Sequence, residues 1–229
     1  MPDNIMFCSW SGGKDITLAL YKCLNEGKKV HFLLNFAVDG KSHGLNREII
    51  KSQAEAIGIP LIQRATTWEN YEHDFDEEVL KLKEKSKCIT GMIVGDIDLE
   101  CHLDWIKKKS TDLCIEYYEP LWKRNREEIL HEFVSEGFEA IVVNCAASAK
   151  FLPGRTINRE TAENFIRDTK KAGICPCGEN GEFHTLVIDG PLFKKKIEIL
   201  ESKIEETDTG KFGKKWILNI KKWRLKPKL

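Results

Sequence analysis

Ile5-Met6-Phe7-Cys8-Ser9-Trp10-Ser11-Gly12-Gly13-Lys14-Asp15 is the stretch that decides the fold. Its apolar start reads as a short buried strand, its Ser/Gly middle as a tight turn, and Lys14 to Glu26 as a helix ending at Gly27. Two glycines let a backbone turn sharply and come close to a ligand. The helix that follows directs N–H groups and partial positive charge at whatever occupies the turn. Ser11 adds a hydroxyl, Lys14 a cation, and Asp15 an oxygen that suits magnesium. This is a phosphate cradle in outline. It is not the Walker A loop, because Cys8 stands where that pattern has its first glycine. The same turn also joins strands to helices in α/β proteins with no ligand there, so the geometry alone leaves both readings open.

Outward from that turn, the chain alternates. Val30 to Phe36 is a nearly continuous apolar run that suits a buried parallel strand. Asn46 to Ile57 carries Ile49, Ile50, Ala54 and Ile57 on one helical face, with Gly58 as a stop. A third strand lies near Leu61 to Arg64, followed by a helix with Phe75, Val79, Leu80 and Leu82. Cys88 to Val94 is a fourth strand, Asp98 to Lys109 a helix, and Leu113 to Tyr117 a fifth strand. Such alternation predicts a Rossmann-like α/β parallel sheet with helices on both faces. Ligands then bind beyond the carboxyl ends of the strands. The loops to watch are Ser9–Asp15, Ala37–Gly44, Ala65–Glu69 and Gly95–Glu100.

Beyond Trp122 the texture changes. Arg124 to Glu136 and Asn158 to Ala172 read as helices, Ala140 to Cys145 as a strand, and Phe183 to Leu229 as short strand-like runs cut by charged turns. This predicts two domains, 1–122 for the sheet and 123–229 for a smaller α+β unit.

Composition narrows the function classes. Lys plus Arg and Asp plus Glu number 36 each, so the net charge gives no support for a protein that binds nucleic acid mainly through phosphates. With 41% hydrophobic and 31% charged residues, a packed water-facing domain is expected. No apolar run approaches the roughly 20 residues of a membrane helix, and no signal-peptide pattern opens the chain. The expected location is the cytoplasm, with no membrane partner. Eight cysteines are scattered without a C-x-x-C pair, which favours free thiols in a reducing compartment.

A second constellation is Cys175-Pro176-Cys177-Gly178-Glu179-Asn180-Gly181-Glu182-Phe183-His184-Thr185. Two carboxylates, an imidazole and a hydroxyl crowd one glycine-flanked turn just before the apolar Leu186-Val187-Ile188. Spacing alone leaves a solvated turn and a chemical site both open.

Ser11-Gly12-Gly13-Lys14-Asp15 resembles the pyrophosphate-binding loop of the ATP pyrophosphatases, and the run from Gly178 to Phe193 resembles the signature of the diphthine–ammonia ligase family. Other pieces fit that family in order: His43-Gly44-Leu45-Asn46, Gln53 to Leu61, Gly95-Asp96-Ile97 and Pro120-Leu121-Trp122. Departures are Ile16 where most members have Ser, Pro153 inside the Leu152–Arg155 loop, and Asn180 where many have Gly. The resemblance implies an ATP-dependent amide ligase joining ammonia to the carboxyl group of diphthine on elongation factor 2, with AMP and pyrophosphate released. It implies ATP and Mg2+, with phosphates held by Ser11, Gly12, Gly13, Lys14 and Asp15. Asp15 is the expected magnesium ligand, with Asp96 as its helper and a catalytic candidate. Adenine is expected near Ala37 and Asp39. Glu179 and Glu182 are the expected ammonium or proton acceptors, while His43 and His184 read equally well as structural histidines. Arg155 is a candidate for a substrate carboxylate or phosphate. The partners implied are diphthine-bearing elongation factor 2 and ammonium; a homo-oligomer stays open.

Competing readings keep the same loop. One is an AMP-forming ligase for another carboxylate. Another is a tRNA-modifying enzyme that adenylates a base; Cys175-Pro176-Cys177 points toward its sulfur or zinc chemistry, but a lone C-x-C pair is weak for zinc, and the neutral charge argues against a tRNA surface. A third is a nucleotide sensor, which would not need Glu179 and Glu182.

Overall fold

A computed structural model describes residues 5–38, 41–42, 44–85, 89–208 and 213–228. The elements run β1 (Ile5–Ser9), α1 (Lys14–Asn25), β2 (Lys29–Val38), β3 (Lys41–Ser42), β4 (Leu45–Asn46), α2 (Arg47–Ile57), β5 (Leu61–Thr66), α3 (Tyr71–Lys85), β6 (Ile89–Ile93), α4 (Glu100–Asp112) and β7 (Glu116–Tyr118). They continue with α5 (Arg126–Ser135), β8 (Glu139–Ala146), β9 (Thr156–Ile157), α6 (Ala162–Lys171), β10 (Phe183–Asp189), β11 (Lys195–Asp208) and β12 (Lys214–Pro227). The chain divides into two compact units. One holds residues 1–11, 15–42 and 59–123; the other holds 12–14, 43–58 and 124–229.

The first unit is built on five parallel strands in the order β5-β2-β1-β6-β7, flanked by helices. Counting these strands along the chain, the order is third, second, first, fourth, fifth. It reverses between β1 and β6, and such a reversal opens a crevice at the carboxyl ends of the strands. Phe7, Leu34 and Met92 from the sheet pack with Phe75, Val79 and Leu82 of α3 and Ile106 of α4. Helix α3 is amphipathic for this reason, and its burial is what fixes it.

The second unit is an antiparallel sheet in the order β10-β8-β12-β11, with β9 paired to β8. Helix α2 lies along the long hairpin: Lys194 N donates to Ala56 O at 2.7 Å and Trp223 Nε1 to Ser52 Oγ at 2.9 Å. Its ends are written in the sequence. Asn46 Oδ1 accepts from Glu48 N, and Gly58 closes the helix at φ 85°. Helix α6 begins four residues later than its apolar pattern suggests. Asn158 Oδ1 instead accepts from Glu160 N and Thr161 N in a local turn.

The largest departure is at the C-terminal end. In place of short runs, β11 and β12 are strands of 14 residues each, paired along their whole length. Register shifts at Ile199 to Ser202 move the apolar side chains from one phase to the other. Ile197 is buried whereas Leu200 and Ile204 are exposed. A strand whose alternation changes phase in the middle looks like two fragments.

Candidate functional site

Strand β1 delivers the chain to the crevice, and buried polar groups hold its exit. Trp10 N donates to Leu34 O at 2.8 Å, Asn35 Nδ2 to Trp10 O at 2.7 Å, and Gln63 Nε2 to Asn35 Oδ1 at 3.1 Å. Gly95, just beyond β6, closes on the start of α1. A Cβ there would lie 2.6 Å from Ile16 N and 2.7 Å from Ile16 Cα, so no larger residue fits without moving helix backbone.

Gly12, Gly13 and Lys14 belong to the second unit. Gly12 has φ 81°, and a Cβ on it would fall 2.2 Å from Gln53 Oε1. Its carbonyl accepts from Val187 N at 3.0 Å and from Gln53 Nε2 at 2.9 Å. The same amide reaches Val187 O at 2.7 Å. Lys14 N, the first amide of α1, donates to Thr185 Oγ1 at 3.1 Å. Strand β10 therefore grips the turn at two points, Thr185 and Val187, with fully buried Gln53 as the brace.

Lys14 was expected to offer its ammonium to phosphate. It is 3% exposed. The ammonium donates to Cys177 O and lies 5.7 Å from the centre of the Phe183 ring. Its charge sits at the foot of the turn, within the segment that carries the two glutamates.

That segment is a closed turn. Gly178 has φ 74°, and a Cβ there would meet Phe183 O at 2.6 Å. Glu182 Oε1 accepts from Cys175 N at 3.0 Å and Asn180 Nδ2 at 2.9 Å, and its Oε2 accepts from Asn180 N at 2.9 Å. Burial works against its charge, but those donors outweigh it and hold the carboxyl below the usual carboxylate range. An acid so engaged is a clamp rather than a base. Glu179 is half-buried in the same turn. His184 is on β10, opposite Asn144 of β8.

At the carboxyl ends of β6 and β7, Asp96 Oδ1 meets His102 Nδ1 at 2.6 Å. Glu119 stands nearby. Burial first, then Asp96 and Glu100, push its carboxyl up to about 7 against the pull of Lys107. Ala37, near the end of β2, is fully buried. Asp39 and His43 lie outside the described residues. Arg155 Nη2 donates to Asp168 Oδ2 at 3.0 Å, and its guanidinium lies over Phe165.

Three residues carry functional geometry without having been singled out from sequence. Gln53 is a buried polar residue on an otherwise apolar helix face, which is a readable signal. Gly95 preceded a suspected acid but had no role of its own. Glu119 gave no signal, since one acid before Pro120 reads as a solvated strand end.

A loop rich in glycine after the first strand of a parallel α/β sheet is an arrangement that nucleotide-binding α/β proteins share. Residues 5–116 match the family model of the diphthamide synthase N-terminal domain, and residues 125–224 that of the diphthamide synthase C-terminal domain. The chain belongs to the diphthamide synthase family. It is similar to the diphthine–ammonia ligase of Rattus norvegicus, with 30% identity over 216 residues that cover 82% of this chain and 80% of that one. The Mus musculus diphthine–ammonia ligase is 27% identical over 245 residues, 96% of this chain and 91% of the relative. Among solved structures, a predicted tRNA methyltransferase subunit from Methanocaldococcus jannaschii superposes with a TM-score of 0.46 at 14% identity. It covers 82% of this chain and 97% of its own, a likeness too low to argue from. The protein is an ATP-dependent ligase that forms a C–N bond.

Proposed function

We propose that the chain amidates the carboxyl group of diphthine on elongation factor 2 with ammonia, splitting ATP into AMP and pyrophosphate through an acyl-adenylate. A carboxylate is a poor electrophile, and adenylation gives its oxygen a good leaving group. The observation that best supports this reading is the grip of β10 on the phosphate turn, through Val187 N to Gly12 O and Lys14 N to Thr185 Oγ1. The strand that leaves the Glu179–Glu182 turn is thus the strand that shapes the loop. We also propose 1–122 and 123–229 as the functional division of the chain.

In this reading the backbone of Ser11 to Asp15 and the start of α1 bind the phosphates, with Lys14 adding positive charge from its seat on Cys177. The residues fit a polyphosphate. Gly12 takes the φ of 81° that so tight a turn requires, and Gly95 lets neighbouring backbone approach α1 without obstruction. Asp15 would hold magnesium, which supplies charge neutralisation on the departing pyrophosphate. Ala37 and Asp39 are assigned to adenine by backbone contact. Glu179 accepts the proton that ammonia gives up as it attacks, and Glu182 holds Glu179's turn in shape. His43 is assigned to the nucleotide, and His184 and Asp96 are assigned as catalytic candidates.

Replacing Glu179 by Gln is expected to reduce AMP formation by at least about 100-fold, the usual range for a lost proton acceptor. ATP affinity should stay within about twofold. Unchanged turnover in Glu179→Gln would reassign the base.

A further inference from the structure

The Cys175-Pro176-Cys177 turn holds two thiols that the amidation does not use. Gly178 N donates to Cys175 O at 3.0 Å, which closes residues 175–178 into a β-turn around Pro176. Two Cα steps of about 3.8 Å, bent in such a turn, leave Cys175 and Cys177 roughly 5–6 Å apart, inside the disulfide range of about 4.4–6.8 Å. Both sulfurs contact one residue. Arg126 Nη1 donates to Cys175 Sγ at 3.1 Å, and Cys177 Sγ donates to Arg126 O at 2.9 Å. Cys177 is 2% exposed and Cys175 9%, so Cys175 is the one nearer water. The backbone of the same two residues holds the candidate site. Cys175 N donates to Glu182 Oε1, and Cys177 O accepts from the Lys14 ammonium. All of these residues belong to the second unit.

We propose that Cys175 and Cys177 are a peroxide-sensitive pair whose disulfide weakens nucleotide binding and so switches the ligase off. Cys175 is the sulfur that reacts, because the Arg126 guanidinium faces it with a charge that suits an attacking thiolate. In the first step that sulfur attacks one peroxide oxygen; an S–O bond forms and the O–O bond breaks. The departing hydroxide takes the Cys175 proton and leaves as water. In the second step Cys177 attacks the sulfenic sulfur; the S–S bond forms and the S–O bond breaks. That hydroxide takes the Cys177 proton as a second water. The two thiols lose two electrons, and one peroxide is reduced to two waters. Drawing the sulfurs together ends the contact of Cys177 Sγ with Arg126 O and twists the peptide units that hold Lys14 and Glu182. A metal suits this pair poorly. Among the described residues no third ligand gathers with the two thiols, and the guanidinium occupies one side of Cys175. The inference rests on the ligase reading only for what is switched; the oxidation itself requires no turnover.

The test treats the full chain with hydrogen peroxide, blocks remaining thiols with iodoacetamide, and weighs the tryptic peptide 172–194, which contains Cys175 and Cys177 and no other cysteine. A loss of about 2 Da with neither thiol alkylated is expected, and dithiothreitol should reverse it. Cys177→Ser should instead carry dimedone, a sulfenic acid trap, at Cys175. Cys175→Ser should stay unoxidised at Cys177. Oxidation should weaken Mg-ATP binding by the unsubstituted chain at least about fivefold, as expected when the Lys14 charge leaves its seat, and dithiothreitol should restore it. No loss of mass in that peptide, dimedone on Cys177 rather than Cys175, or a disulfide that leaves ATP affinity unchanged would each overturn the proposal. AMP formation by the reduced chain separates the two readings. Turnover with no disulfide under peroxide leaves the ligase and removes the switch. A disulfide that weakens ATP binding, with no AMP formed by the reduced chain, keeps the thiol pair and removes the amidation.

Discussion

Replacing Gln53 by Leu removes one amide that bridges two carbonyls, Gly12 O and Val187 O, in a fully buried position. Leaving buried acceptors short of a donor costs about 1–3 kcal/mol. For a chain of this size that is a fall of roughly 2–12 °C in the unfolding temperature. ATP affinity should fall with it, because Gly12 sits in the phosphate turn. A change below about 1 °C in calorimetry would show that the brace is dispensable. Glu119 makes the opposite prediction. Its carboxyl titrates near 7 when folded and at the ordinary carboxylate value of 4.5 when unfolded. The folded state then binds more protons between these values, so stability falls as pH rises through that window. Because Glu119 is only partly buried and solvent screens its charge, the penalty is about 1 kcal/mol above pH 7. Glu119→Gln should therefore raise the unfolding temperature by about 2–4 °C at pH 8 and leave it unchanged at pH 4.5. An equal gain at both values would mean that its charge is not what matters.

Among the elements, the junction of β6 with α1 is the one with least slack. Gly95→Ala puts a methyl group 2.6 Å from Ile16 N, against helix backbone that no rotamer change can move aside. The first turn of α1 must shift. A displacement near 1 Å at a reacting centre can cost on the order of 100-fold in turnover. The expected result is a fall of at least about tenfold in kcat, with circular dichroism little changed. Retained kcat would separate α1 from the chemistry. The same junction shows what sequence can and cannot reveal. Strand β1, the Ser/Gly turn and α1 were legible because apolar run, glycines and helix pattern agree. Asn46 and Gly58 bounded α2 for the same reason. The β11–β12 hairpin was not legible, since the bulge near Ile199 to Ser202 breaks the alternation. The lysines and glutamates of its solvent face, such as Glu206 with Lys214, imitate turns.

At the scale of the whole molecule, the site was half legible. The loop and the glutamate turn were visible as strings of unusual composition. Which glutamate is engaged was not, because the donors to Glu182 come from Cys175 and Asn180 in a turn that only the folded backbone closes. Nor was the seat of Lys14, which depends on a carbonyl 163 residues away. The membership of both parts of the chain in the diphthamide synthase family makes the chemistry specific enough to test directly. The decisive measurement is nucleotide product analysis with Mg-ATP and ammonium, with and without diphthine-bearing elongation factor 2. AMP and pyrophosphate formed only when that protein and ammonium are both present is the expected result. AMP formed equally without it, or ADP as the product, would contradict the proposed reaction.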